Sequence, residues 1–266
     1  MRKHLYVDNI DLSTYGVYIS GQGTFGSGAK EYNYYNIPGR NGSVLGYRPR
    51  LENVNVTYPA GIYTNFSQNI RDLRSLLLSR EGYVKINDDY DTTHFRLGAY
   101  TDEFTPDVTQ LNDAGQFDIT FNCRPERWLN TGETTVTYTP SGSYYTLTNP
   151  TRFTSRPNYR IYGYGTVSCT DTSNYGTVIE VISDFATDFS NALYIDINGE
   201  DMSAYAVFSL YKVRVDNYVQ YYVYEGVGTP AIFGVDPPVL VSGTNRVRVS
   251  GANLTKVEIT PRWWEV

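Results

Sequence analysis

The clearest indication of the fold class is an alternating stretch near the middle of the chain, Gln116-Phe-Asp-Ile-Thr-Phe121. Its three apolar side chains fall on one face of an extended strand, whereas Asp118 and Thr120 point to the other face. This alternation is typical of an antiparallel sheet that buries one face and exposes the other to water. We therefore predict a mainly β protein.

Similar period-2 stretches recur along the chain between Gly, Asn, Asp and Pro residues, which favour turns. They include Val54–Tyr58, Val219–Val223, Arg246–Val249 and Lys256–Ile259, and Thr177–Ile182 is a less regular candidate. The composition agrees with this pattern, because aromatic residues favour strands and make up 15% of the 266 residues. From residue 131 onward, the regular spacing of short strands predicts an antiparallel β-sandwich.

One segment, residues 67–80, predicts a short α-helix instead of a strand. Its apolar residues recur at helical spacing and form a single stripe on one side of the helix. These residues are Ile70, Leu73, Leu76 and Leu77. Asn65 or Ser67 is the expected N-cap, and Gly82 lies just beyond the expected end.

The chain is long enough for two domains, and the best boundary follows Leu129. The next residues, Asn130–Thr134, are polar and contain a glycine, which is typical of a turn or short linker. We therefore predict an N-terminal β-rich domain with one short helix over residues 1–130. The C-terminal β-sandwich is expected over residues 131–266.

The charge distribution argues against nucleic-acid recognition. The chain carries 22 Lys and Arg against 28 Asp and Glu, which gives a net charge of -6. Both predicted domains are net negative, and neither has a basic stripe that would attract phosphates. No apolar run approaches the ~20 residues needed to span a bilayer, so membrane insertion is not expected. The stretch Met1–Asp8 lacks the apolar region of a secretory signal.

Enzymatic chemistry has little support. Only His4 and His94 are available as imidazole bases or metal ligands, and His94 lies in a strand pattern where a hydrogen-bonded sheet histidine is expected. Cys123 and Cys169 are widely spaced and are predicted to be free buried thiols, with an interdomain disulfide as the alternative. We predict that the protein is not an enzyme, and we assign no catalytic residue, cofactor or metal site.

Three further motifs are interpreted as loops or turns. The acidic run Asp88–Asp91 is expected to be a solvated hairpin tip. The stretch Asp196–Asp201 resembles a calcium-binding loop but departs from its spacing, so a turn is expected. Gly21–Gly26 matches GxGxxG, but no helical pattern follows that would hold a pyrophosphate. We predict a flexible loop over Gly21–Ala29.

Aromatic side chains in the second half offer a candidate platform for stacking on sugars. The candidate residues are Tyr222, Tyr224, Trp263 and Trp264. The alternative is that these rings fill and cover the core of the sandwich. Packing is the favoured interpretation, with Trp263 and Trp264 as anchors of the sandwich.

One motif, Asn36-Ile-Pro-Gly-Arg-Asn-Gly42, is similar to a signature of the distal tail proteins of long-tailed siphophages, mainly those of Gram-positive hosts. Further stretches resemble that family in the same order along the chain. They are Val7–Gly16, Gly115–Pro125, Pro157–Gly165, Leu240–Asn245 and Ile259–Trp264. The resemblance spans nearly the whole chain and leaves no segment the size of an inserted carbohydrate-binding module. It therefore indicates the short form of the family.

The resemblance implies a structural virion protein. In this family the N-terminal domains close into a homohexameric ring, and the C-terminal domain is a galectin-like or carbohydrate-binding-module-like sandwich. The ring is a hub that joins the distal end of the tail tube to the tail tip or baseplate. Implied partners are further copies of the chain, the tail tube protein, the tail-associated or tip protein, and receptor-binding or baseplate proteins. The implied location is the virion tail tip, after assembly in the host cytoplasm.

A carbohydrate-binding module that contacts host cell-wall sugars is the alternative function. In that interpretation the C-terminal sandwich binds the sugar and no ring is required.

The family motif has both a structural and a functional interpretation. Its residues are Ile37, Pro38, Gly39, Arg40, Asn41 and Gly42. As a turn, it uses Pro38 to fix φ, while the two glycines permit positive φ. As a ring contact, it places Arg40 and Asn41 at or near a neighbouring subunit. A turn residue can serve in both ways, so the two interpretations are compatible.

Overall fold

The computed structural model describes residues 2–20, 23–46, 50–109, 114–173, 175–183, 194–206, 211–215, 219–223, 231–232 and 236–266. The chain divides into two compact units, residues 1–128 together with Val266, and residues 129–265. The division lies close to the expected boundary at residue 130. Each unit has its own hydrophobic core.

The first unit contains a large antiparallel sheet and two small sheets of two strands each. Its strands are β1 (Leu5–Val7), β2 (Ile10–Asp11), β3 (Val17–Ile19), β4 (Lys30–Glu31), β5 (Tyr34–Asn36), β6 (Ser43–Leu45), β7 (Arg50–Leu51), β8 (Val54–Ile62), β9 (Val84–Asp88), β10 (Asp91–Tyr100), β11 (Asp107–Thr109) and β12 (Ala114–Cys123), and β13 (Arg127–Leu129) follows at the division between the units. The main path through the sheet is β2-β1-β9-β10-β12-β8-β3.

Strand β12 contains the alternating stretch from which the fold class was inferred. Phe117, Ile119 and Phe121 are buried, whereas Asp118 is exposed. The strand pairs with β8 in a register that places Ile119 opposite Tyr58. The prediction of a mainly β protein is confirmed.

The predicted α-helix is present as α1 (Phe66–Leu78), the one α-helix in the described part of the chain, and its apolar stripe packs into the core of the first unit. The N-cap is Asn65, one of the two expected residues, but its side chain makes no capping hydrogen bond. Its φ of 50° lies in the left-handed region. Short 3₁₀ helices cover Leu12–Tyr15, Gly23–Phe25 and Asn130–Glu133. No helix within the described ranges is long and apolar enough to cross a bilayer.

The second unit is also antiparallel. Its strands are β14 (Val136–Tyr138), β15 (Tyr145–Asn149), β16 (Asn158–Thr170), β17 (Gly176–Ser183), β18 (Tyr194–Asn198), β19 (Ser203–Ala206), β20 (Tyr211–Val215), β21 (Val219–Val223), β22 (Ala231–Ile232), β23 (Gly243–Thr260) and β24 (Trp264–Glu265). The long strands β16 and β23 pair with each other. The first half of β16 also pairs with β18, and its second half with β17.

The long strands bend, so the sheet curls around a single core. Register shifts occur on both sides of Gly163, whose φ of 94° favours glycine. A Cβ there would also lie 2.1 Å from the carbonyl oxygen of Asn253. The core cluster combines residues from both halves of the curled sheet, including Ile161 and Val249. The two short strands predicted at Arg246–Val249 and Lys256–Ile259 are parts of the one strand β23, because pairing with β16 continues between them.

Both cysteines are free and buried, as predicted. Burial raises the pKa of the Cys123 thiol to about 12 and that of the Cys169 thiol to about 12. Each thiol therefore stays protonated at neutral pH and behaves as a small apolar side chain.

Candidate interaction surface

A β-hairpin formed by residues 30–46 and 50–51 carries exposed side chains, and we call these residues the arm. Strands β4 and β7 pair at its base, where Glu31 lies opposite Arg50 and forms an ion pair with it. Strands β5 and β6 pair near its tip, where Tyr35 lies opposite Val44. Within the described ranges these four strands pair only with one another. The arm is therefore a two-stranded ribbon with open edges.

The tip of the arm is the turn that the family motif predicts. The amide of Arg40 donates to the carbonyl oxygen of Ile37 at 3.2 Å, which leaves Pro38 and Gly39 at the central positions. Gly39 has a φ of 77°, as a type II turn requires at its third residue. A Cβ on Gly39 would meet no atom within 4 Å, so glycine is needed for the backbone conformation and not for space.

Both faces of the arm expose apolar side chains. Directly opposed residues of an antiparallel pair share a face, so Tyr34 and Leu45 lie on one face and Tyr35 and Val44 on the other. Tyr34 is 65% exposed and Leu45 is 55% exposed. An exposed apolar patch on a folded protein commonly marks a contact surface. The arm is therefore the candidate interaction surface of the first unit.

The loop at the base of the arm is anchored, which corrects the prediction of a flexible loop over Gly21–Ala29. Its first two residues lie outside the described ranges. In the remainder, Thr24 is buried, and its hydroxyl donates to Asp88 Oδ2 at 2.8 Å. The buried guanidinium of Arg96 donates to the carbonyl oxygen of Gly26. The base of the arm is thus tied to the main sheet.

The acidic run Asp88–Asp91 is not the wholly solvated hairpin tip that the sequence predicts. Asp88 is only 3% exposed. Its Oδ2 accepts a hydrogen bond from the Tyr58 hydroxyl at 2.9 Å, and its Oδ1 accepts one from the Tyr90 amide at 2.8 Å. Burial, together with the neighbouring carboxylate, raises the pKa of Tyr58 well above its ordinary value. Asp88 therefore lies in the interior of the first unit, where these hydrogen bonds compensate for the cost of burying its carboxylate.

A sequence signal for this burial exists in β9. The strand alternates, so Asp88 falls on the same face as Ile86, which is 2% exposed. Asp88 is therefore the last inward-facing residue of β9, although it is also the first acid of the run Asp88–Asp91.

The last acid of the run, Asp91, forms a second polar cluster. His94 Nδ1 lies 2.8 Å from Asp91 Oδ2, and the Arg127 guanidinium pairs with the same oxygen. Burial alone would raise the pKa of Asp91, but hydrogen bonds from Thr93 and the charges of His94 and Arg127 outweigh it and lower the pKa. His94 is the hydrogen-bonded sheet histidine that its strand pattern predicts.

The proposed aromatic platform is not assembled as an open surface by the residues that the structure describes. Trp263 is 5% exposed and belongs to the core of the second unit. Trp264 stacks on Phe153 at a centroid distance of 4.4 Å and donates from Nε1 to the carbonyl oxygen of Thr154 at 3.0 Å. The Tyr222 side chain and Tyr224 lie outside the described part of the chain.

The calcium-like stretch Asp196–Asp201 forms a hairpin turn between β18 and β19, as predicted. Asp201 Oδ1 accepts a hydrogen bond from the Ser203 amide at 3.0 Å, and Asn198 Oδ1 accepts one from the Glu200 amide at 2.9 Å. Among the described residues, no group of three or more His, Cys, Asp or Glu side chains is placed to hold a metal ion.

The architecture is that of a two-unit, mainly β protein with an exposed hairpin arm on its first unit, and solved phage tail structures share this fold. The chain matches the SPP1 Dit protein over 100% of both chains, with a TM-score of 0.59 and 13% sequence identity. It matches a chain of the phage P2 baseplate, in its activated conformation with Ca, over 97% of both chains, with a TM-score of 0.51 and 12% identity.

No protein-family model and no curated protein sequence matches the chain significantly. The resemblance to siphophage distal tail proteins, inferred from short motifs, is confirmed at the level of the fold.

Proposed function

We propose that the chain is a non-enzymatic structural protein of a siphophage tail. In this proposal six copies close into a ring, and the ring joins the distal end of the tail tube to the tail tip, baseplate and receptor-binding proteins. The observation that carries the proposal is the full-length match in fold to the SPP1 Dit protein. That structure is presented as a paradigm of the hub adsorption apparatus in phages that infect Gram-positive bacteria.

The arm supports the ring part of the proposal. A ring of identical subunits needs two unlike surfaces on each copy, one of which meets the other on the next copy. The arm supplies a surface with open edges and apolar side chains on both faces, and edge strands readily pair with another chain. We assign the arm to the contact with the neighbouring subunit.

The family motif has a defined place in this proposal. The turn presents Arg40 and Asn41 at the tip of the arm, where both side chains are exposed. Two polar side chains at the end of an apolar ribbon form a polar rim around the contact, which is the usual anatomy of a protein interface. We assign Arg40 and Asn41 to the rim of the subunit contact.

Light scattering coupled to size exclusion tests the proposal. Six copies of the 30.1 kDa chain give a closed ring of about 180 kDa. The proposal predicts a species of this mass, alone or after addition of the tail tube protein. A monomer under both conditions would contradict it.

A further inference from the structure

A polar groove lies on the outward-facing side of the curled sheet in the second unit. It has a volume of about 340 Å³ and crosses strands β16, β18 and β23. Its central residues are Asn158, Arg160, Asp196, Asn198, Glu258 and Thr260. Their registers place them on one face, since Arg160 lies opposite both Asp196 and Glu258. The intervening residues of these strands point into the core.

The charges of the groove are paired with one another. Arg160 donates from Nε and Nη2 to the two oxygens of Asp196, at 2.6 Å and 2.8 Å. Lys256 Nζ donates to Glu258 Oε1 at 2.6 Å, and the Tyr162 hydroxyl donates to Glu258 Oε2 at 3.2 Å. Two cations and two anions leave no net charge. The groove therefore gives no electrostatic preference to an anion or a metal ion.

Two tyrosine rings lie on the same face of the sheet as this row of polar groups, next to the groove but outside its lining. Tyr162 lies opposite Tyr194, and their ring centroids are 5.4 Å apart. The Arg160 guanidinium lies 4.3 Å from the centre of the Tyr194 ring, and Lys256 Nζ lies 4.2 Å from that of Tyr162. The cations hold the rings in place beside the hydrogen-bonding groups. Tyrosine rings and oriented donors and acceptors thus lie side by side on one face of the sheet.

We infer that this groove is a binding site for a neutral saccharide. A sugar ring presents hydroxyl groups that both donate and accept, and carboxylates, amides and a guanidinium can satisfy them. Its apolar C–H face suits a tyrosine ring. The volume lies at the lower end of the range of about 300–1,000 Å³ that is typical of small-molecule sites. The face carries no aliphatic side chain at these positions, so an apolar peptide would bury its surface against polar groups.

This site differs from the aromatic platform predicted from the sequence, because neither Trp263 nor Trp264 lines the groove. It also goes beyond the proposed ring and does not depend on it. The ring contact was assigned to the first unit, whereas the groove belongs to the second. Failure to bind saccharide would therefore leave the ring proposal intact.

The test uses the full-length protein and neutral saccharides. An array of oligosaccharides of glucose, galactose, rhamnose and N-acetylglucosamine identifies a ligand, and calorimetry then measures its affinity. Two groove variants, Asp196→Ala in the lining and Tyr194→Ala beside it, remove the partner of Arg160 and a neighbouring tyrosine ring. Tyr175→Ala is the matched control, because this tyrosine lies in the same unit and is 78% exposed. Thermal unfolding checks that each variant is folded, and Tyr194→Ala decides the test if Asp196→Ala does not fold.

We expect saturable binding that falls by about tenfold or more in the folded groove variants, because each loses a contact with the ligand. The control should bind like the wild type. The inference would be overturned if no saccharide bound at millimolar concentration, or if binding survived the groove substitutions. Loss of binding in Trp264→Ala with full binding in Tyr194→Ala would also overturn it, by placing the sugar on the other aromatic surface.

Discussion

Asp88 connects three parts of the first unit through a single carboxylate. It accepts hydrogen bonds from Tyr58 in β8, from Thr24 beside the arm, and from the amides of Tyr90 and Asp91 in the turn after β9. A buried carboxylate is tolerated when its oxygens are hydrogen-bonded in this way. Asp88 therefore fixes the base of the arm to the sheet.

Replacement of this carboxylate tests its structural role. We expect Asp88→Ala to lower the free energy of unfolding by about 3 kcal/mol, because it leaves buried donors without their acceptor. Urea unfolding measures the change. Asp118→Ala is the control, since Asp118 lies on the exposed face of β12, and it should change stability by less than about 0.5 kcal/mol. Equal effects of the two substitutions would contradict the role given to Asp88.

The lowered pKa of Asp91 makes a prediction about pH. The pKa of this carboxyl group is lower in the folded protein than in the unfolded chain. Its contribution to stability is therefore complete above the ordinary value of about 3.9, and it is lost as the pH falls through the lower folded value. Asp91→Asn should lower the free energy of unfolding at neutral pH. The difference in this free energy between the variant and the wild type should become smaller below pH ~4. Unfolding midpoints at a series of pH values measure this, and a constant difference would be the contrary result.

At the scale of elements, the arm has few contacts within the single chain that would stabilise it, because its strands pair only with one another in the described ranges. A two-stranded ribbon is marginally stable in water when nothing covers it. Tyr34 and Leu45 would nevertheless remain more than half exposed in a single chain. The proposed contact with a neighbouring subunit would account for both features, because it would bury the apolar faces and pair the open edges.

The double variant Tyr34→Ser and Leu45→Ser tests the arm as the ring contact. Each buried apolar side chain of this size contributes about 1.5–3 kcal/mol to association, so we expect the assembled fraction to fall strongly. Light scattering measures the assembled fraction, and thermal unfolding should change little because both side chains are already exposed in the single chain. Tyr175→Ser is the matched control in the second unit. A double variant that assembles like the wild type would exclude this face of the arm as the contact.

The sequence is informative where a structural feature is local. Alternation in β12, the apolar stripe of α1 and the turn around Gly39 each depend on neighbouring residues, and each was predictable. The continuity of β23 across the polar segment between Val249 and Lys256 was not predictable, because it depends on pairing with the distant strand β16.

The candidate sites show the same limit. The motif Ile37–Gly42 predicted the turn at the tip of the arm. The exposure of the apolar side chains on the arm could not be predicted in this way, because it depends on the folded chain. The groove was missed because Arg160, Asp196 and Glu258 come from three strands that are distant in sequence, and only the sheet register brings them together. Asp88 was misinterpreted because burial depends on the surrounding β8 and the arm base.

At the scale of the whole molecule, the two units divide the proposed tasks. Each has its own hydrophobic core, so a contact surface on one does not require rearrangement of the other. The net charge of -6 makes nonspecific association between single chains less favourable, because like-charged molecules repel one another. In the proposed ring, assembly would then depend on specific contacts such as the arm.

We propose that copies of this chain close into a six-membered ring. Electron microscopy of the purified protein, alone and with the tail tube protein, tests this proposal most directly because it reveals symmetry as well as size. We expect class averages of rings with sixfold symmetry and a central channel. Isolated single chains under both conditions, or closed rings of a different symmetry, would contradict it.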